Sequence, residues 1–174
     1  MANYNKPAGN EYGEYYQGYI DQVNGENAIS AISTNTNSTL KILEQLDEET
    51  WNFAYAEGKW TVKQLVQHII DTERVFAFRA LWIARNSQQP LPGFDQDVYV
   101  SESRADLKSS EELLEQYKNT RNHTLDLFNE LPSLTVDYTG EASGFPLTAR
   151  ACAWIIAGHE IHHVKVLQER YLTS

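Results

Sequence analysis

The sequence predicts an all-α four-helix bundle. Three observations predict it: four segments carry apolar residues at helical spacing, no two segments alternate as a convincing strand pair would, and 174 residues suffice for one such domain. The whole chain, 1–174, reads as that single domain, with residues 1–25 as an N-terminal arm and a long connection between the second and third helices.

The arm is rich in Tyr, Asn and Gly. Tyr12, Tyr15, Tyr16 and Tyr19 offer aromatic surface without a long periodic pattern, so it should pack on the body with room for one short helical turn. In residues 27–46, Ile29, Ile32, Leu40, Leu43 and Leu46 follow helical spacing, although 33–39 is a poor helix former that packing must hold. The second helix is the best signalled. Thr61-Val62-Lys63-Gln64 has capping-box form, and the pattern continues without Pro or Gly to about Ser87.

Residues 88–108, with Pro90, Pro92, Gly93 and several acids, make a connection long enough to be a lid or binding segment. The third helix spans 110–131 on Leu113, Leu114, Tyr117, Leu125 and Phe128, and Pro132 stops it. Residues 139–146 read as a turn-rich loop. The fourth helix starts near Thr148 and runs through Trp154, Ile155, His159, His163, Val166 and Leu167 to about Tyr171.

A formal charge of −10 repels phosphate backbones and anionic lipid, which disfavours nucleic-acid and membrane-surface binding. One cysteine, Cys152, excludes an internal disulfide and fits a small buried hydrophobe. The start of the chain lacks secretion-signal character and no apolar run is long enough to span a bilayer, so the cytoplasm is the expected compartment.

Histidines carry the functional signal. His159 and His163, four apart on one helix, differ by about 40° around the axis and about 6 Å along it, so both can converge on one atom. Below them the stripe is apolar through Ile156, Ile155 and Cys152, and imidazoles on such a stripe need partners. His68, on a mixed and largely inward stripe of the second helix, can supply a third nitrogen, and a shared divalent ion would satisfy all three rings. Core histidines bonded to carbonyls are the competing reading. His162 points about 100° away from His163 and reads as outward, and His123 reads as a surface residue or as an outer neighbour of the site.

Asp71, three residues past His68, fits either a general base or orienting group for the site or a helix-surface ion pair with Arg74. Glu73 points off the stripe and should pair with a neighbour. His159-Glu160-Ile161-His162-His163 formally satisfies the H-E-x-x-H pattern of zinc proteases. A protease is disfavoured, because a bundle offers no edge strand to align a peptide and His68 replaces the usual downstream ligand.

These residues resemble the DinB-like (YfiT-like) metal-binding four-helix bundles over nearly the whole chain. The likeness rests on Glu11, Tyr15-Tyr16 and Tyr19-Ile20 in the opening, and on Gly58-Lys59-Trp60-Thr61-Val62-Lys63 before His68. It continues in Asp71-Thr72-Glu73-Arg74-Val75-Phe76, Arg79-Ala80-Leu81, Leu91-Pro92-Gly93-Phe94-Asp95 and Ala157-Gly158-His159-Glu160-Ile161-His162-His163.

The resemblance implies a divalent ion, zinc or nickel above all, held by His68, His159 and His163 with open positions; three imidazoles with water also suit ferrous iron. It also implies a small-molecule substrate, a low-molecular-weight thiol as cosubstrate, and a homodimer, as is common in that family. The function expected is a thiol-dependent S-transferase or a related hydrolase. The alternative is a non-catalytic, metal-stabilised stress-response binding or interaction module.

Overall fold

A computed structural model describes residues 2–173. Its elements in chain order are α1 (Gln17–Ile20), α2 (Ala28–Leu43), α3 (Glu48–Asn52), α4 (Val62–Ala84), α5 (Gln96–Ser103), α6 (Ser110–Glu130), β1 (Thr139–Ala142), β2 (Phe145–Thr148) and α7 (Ala149–Val166). The bundle is α2, α4, α6 and α7. α4 packs on both α6 and α7, and α2 packs on the same two, so α2 and α4 lie diagonally opposite.

Local chemistry starts each long helix. Asn27 accepts from the Ile29 and Ser30 amides at the head of α2, and Thr148 accepts from Ala151 at the head of α7. Thr61 with Gln64 and Ser109 with Glu112 form full capping boxes on α4 and α6. The polar run in α2 turns the hydroxyls of Ser33, Thr36 and Ser38 onto the carbonyls four residues back, and burial of Ile32 and Thr39 against the core holds it helical. No helix among the described residues is long and apolar enough to cross a membrane.

Two stretches differ from expectation. Residues 139–148 form a β-hairpin, not an irregular loop: β1 pairs antiparallel with β2 from Thr139↔Thr148 to Ala142↔Phe145. Its two-residue turn needs left-handed backbone at both positions, supplied by Ser143 (φ 56°) and Gly144 (φ 81°). Strands of four residues containing Gly140 and Pro146 carry almost no alternation, which hides them from pattern reading. The 88–108 connection is partly ordered as α5, capped by Asp95, and its Leu91 exchanges backbone bonds with Glu141 and Ser143. α5 shows no apolar stripe because only Val100 is buried, while Val98 and Tyr99 are exposed.

The arm is built into the core. Tyr4 donates its hydroxyl to Phe128 O at 2.6 Å and accepts from Trp154 Nε1 at 2.8 Å through its carbonyl. Glu11 holds Arg150 and Thr148 at the head of α7. α1 then crosses α7 at Gly158, where a Cβ would stand 2.0 Å from the Tyr19 carbonyl oxygen. Gly158→Ala is therefore expected to lower stability by about 2 kcal/mol despite alanine's better helix propensity, since backbone has to move. Urea unfolding of the variant checks this, and an unchanged midpoint would refute the close crossing.

Candidate metal centre

α4 presents His68 and α7 presents His159 and His163, one turn apart, to a common point. The three Nε2 atoms form a near-equilateral triangle with edges of 2.9 Å (His68–His159), 3.1 Å (His68–His163) and 3.1 Å (His159–His163). They are the one grouping of three or more potential ligands among the described residues.

The packing shell fixes the rings: Trp60 lies 4.8 Å from His68, and Tyr19 lies 5.4 Å from His159, centroid to centroid. Burial and the neighbouring His162 push His68 down to about 4. Burial, with His68 and His162, pushes His163 down to about 3, and His159 is also held well below its ordinary value by burial and its imidazole neighbours. All three are therefore neutral near pH 7, the form that offers a lone pair.

The donor set fits a cation. A neutral imidazole carries one N–H, so three Nε2 atoms facing one another cannot all be satisfied by mutual hydrogen bonds, whereas one ion accepts all three lone pairs. His163 Nδ1 is buried without a hydrogen-bond partner, leaving Nε2 as that ring's route to one. A triangle of this size would let all three Nε2 atoms reach one shared ion at the usual metal–imidazole distance of about 2.0–2.1 Å.

Two cavities reach this point from different sides. One, of about 340 Å³, touches His68 and His159 and is walled by Tyr16, Tyr19, Phe76 and Phe94. The other, of about 300 Å³, touches His163 and is walled by Tyr55, Lys59 and Trp60. The first turn of α5 borders both, with Gln96 at the first and Asp97 at the second. The centre is thus buried yet approachable by small molecules.

Asp71 accepts from Gln67 Nε2 at 2.9 Å and from Arg74 at 3.3 Å, and no imidazole is among its partners. That is the ion-pair arrangement. His162 is half-buried beside Tyr19, outside the triangle, and His123 is exposed. Cys152 is fully buried and burial pushes its thiol far up, so it stays a neutral core side chain.

A buried ionic cluster beneath the triad is absent from the sequence reading. Arg121 of α6 bridges Glu73 of α4 at 2.9 Å and Glu160 of α7 at 2.8 Å, all three at most 3% exposed. Thr39 of α2 donates to Glu160 at 2.8 Å, and the Tyr117 hydroxyl donates to the same oxygen. All four bundle helices meet there. Glu160 is thereby committed to the core next to His159, so the carboxylate that a zinc protease would need faces away from the centre. The available signal was the 4-3-4 spacing of Tyr117, Arg121, Thr124 and Phe128, which sets a charged residue on an inward stripe.

The depressed histidines give a pH dependence. Unfolded imidazoles titrate near pH 6.5 and the folded ones lower, so the unfolded state binds more protons once pH falls below about 6.5. Stability from keeping His68 neutral is complete above that pH and is lost toward about pH 4, roughly 3 kcal/mol for this ring. Urea titrations of EDTA-treated protein at pH 7.5 and 5.0 should show this loss, and His68→Ala should flatten part of it.

The profile of the DinB superfamily matches residues 31–167. An Oceanobacillus iheyensis protein named "Putative metal-dependent hydrolase OB0413" is 28% identical over 139 residues, 78% of this chain and 79% of that protein. The fold is similar to that of Bacillus subtilis YfiT, described as a probable metal-dependent hydrolase with an unusual four-helix bundle topology. The TM-score there is 0.70 at 15% identity, over 84% of this chain and 87% of the other. It is also similar to a mycothiol-dependent maleylpyruvate isomerase, with a TM-score of 0.67 at 14% identity, over 79% of this chain and 58% of the other. With the profile covering most of its length and the bundle reproduced, the chain belongs to the DinB superfamily.

Proposed function

We propose that this protein is a divalent-metal-dependent enzyme whose ion is held by His68, His159 and His163, acting as a small-thiol-dependent S-transferase. The observation that carries the reading is the triangle of neutral Nε2 atoms at 2.9–3.1 Å, with a cavity on either side. The mycothiol dependence of one protein of similar fold and the name of the Oceanobacillus relative support metal and thiol chemistry.

When bound, an ion such as nickel, zinc or ferrous iron supplies Lewis-acid chemistry, favouring deprotonation of a thiol or a water at its open positions. The chain's part is positional. Trp60 and Tyr19 pack against two of the ligand rings and hold them in place. The two cavities allow one reactant to approach from the His163 side and the other from the side of His68 and His159.

Hydrolysis is the second reading, favoured by the name of the Oceanobacillus relative. Asp71 is then the candidate base, and it has to exchange Arg74 for a water to serve. The test is an assay of nickel- and zinc-loaded protein with cysteine and monobromobimane, and separately with p-nitrophenyl acetate without thiol. Metal-dependent thiol alkylation that disappears in His163→Ala supports transfer, and ester cleavage alone supports hydrolysis. Stoichiometric metal with neither activity would leave a metal-stabilised binding module.

A further inference from the structure

Among the described residues three cations are buried, Lys63, Arg79 and Arg121. Lys63 pairs with Glu48, and Arg121 pairs with Glu73 and Glu160. Arg79, only 2% exposed, has no carboxylate partner. In a chain of net charge −10 this is not for want of acids. A desolvated guanidinium without a counter-ion is costly, so its place needs an explanation.

Its surroundings supply one. Nη2 donates to Pro92 O and to Ser143 Oγ, each at 3.0 Å, while Nη1 has no hydrogen-bond partner. The guanidinium carbon stands 4.9 Å from the Phe76 ring centroid and 5.8 Å from that of Phe94. Phe76, Phe94 and Ser143 all wall the 340 Å³ cavity that ends at His68 and His159. Arg79 thus lies directly behind that wall.

On α4, His68, Thr72, Phe76 and Arg79 fall on one stripe of about three turns, and the side chain of Arg79 reaches back over Phe76 toward the triad. Thr72 lines the same cavity, and its Oγ1 is also buried without a partner. One face of one helix therefore carries, in order, a histidine of the triad, an orphan hydroxyl, an aromatic ring and, behind that ring, a guanidinium whose Nη1 has no partner.

We propose that this cavity takes a carboxylate-bearing substrate with an apolar or aromatic body, its carboxylate held at the Ser143 end by the uncompensated charge of Arg79 behind the wall and its body contacted midway by Thr72. As the substrate subsite of the metal centre, it rests on the reading given above. The single uncompensated charge of Arg79 balances one carboxylate charge. A phosphate dianion would leave a second charge uncompensated among aromatic walls. The anchor fixes the far end of the substrate, so the reacting end is delivered to the side of the triad formed by His68 and His159.

Calorimetric titration with 3-phenylpropanoate and its neutral amide, on EDTA-stripped and zinc-loaded protein, tests this. The carboxylate is expected to bind at least about tenfold more tightly than the amide in both forms, with the preference erased in Arg79→Met. Equal binding of the two probes overturns the proposal. So does a preference that survives in Arg79→Met or exists only with zinc, since the acid then ligates the metal; that result leaves the metal reading standing. An Arg79-dependent preference in protein that takes up no metal upholds the anchor and sinks the metal reading.

Because Arg79 also ties Pro92 to Ser143, its methionine variant can lose structure. Wild-type protein carries the same test. The probe should shift the Arg79 Nε–H resonance, assigned by its absence in Arg79→Lys, and its ring should show cross-relaxation to Phe76 and Phe94. Absence of both overturns the proposal.

Discussion

His68→Ala and His163→Ala should each lose the metal that wild-type protein retains after loading with nickel or zinc and gel filtration, as read by plasma mass spectrometry. Losing one of three imidazoles removes one of the three bonds the triangle can make, and affinity should fall by more than about 100-fold, beyond what loss of an outer partner costs. Stability supplies an independent readout. An ion at 100 times its dissociation constant stabilises the folded state by about 2.7 kcal/mol. For a chain of this size that raises Tm by about 5–10 °C in wild type and by almost nothing in either variant. The metal-free proteins should differ much less, because the three rings satisfy one another only in part. Stoichiometric metal in both variants would show that it binds elsewhere, and the triangle would then be a packing feature.

The triad was legible for a simple reason. Spacing of four on a helix is a geometric statement, and two imidazoles above an apolar stripe conflict with burial unless something satisfies them. The long helices were legible for the same kind of reason: Thr61 with Gln64 announces α4, and Pro132 closes α6. What escaped was structure held by tertiary contacts. α5 buries one side chain, so no periodicity marks it. The hairpin is made by a Ser143–Gly144 turn and by bonds to Leu91 more than fifty residues away. Glu73, Arg121 and Glu160 look like ordinary helix-surface charges when read one at a time. Only their convergence from three helices makes them core.

That convergence makes Arg121→Met a strongly destabilising change outside the metal centre. Burial pushes Glu73 above the usual carboxylate range, and Arg121 pulls it back only in part. Burial also opposes the charge on Arg121, but Glu160 and Glu73 outweigh it and hold the guanidinium firmly protonated. Removing the arginine leaves two carboxylates in the core with Thr39 and Tyr117 as remaining donors, a change that costs about 3–5 kcal/mol. By comparison, an exposed ion pair such as Lys6–Asp21, half in water on both sides, contributes little to stability.

The sign of the pH dependence separates this cause from simple loss of packing. Burial already raises Glu73, and in the variant Arg121 no longer opposes that shift, so the folded state binds more protons than the unfolded one between the two Glu73 values. The penalty should therefore be largest near pH 7 and shrink toward pH 5, where Glu73 accepts a proton. Urea midpoints of wild type and Arg121→Met at the two pH values measure it. A penalty that is the same at both would mean that the lost side-chain volume, not the orphaned charges, sets the cost. Since Glu160 adjoins His159, the variant should also bind nickel more weakly at pH 7, and Glu73→Gln on the Arg121→Met background should recover part of both losses.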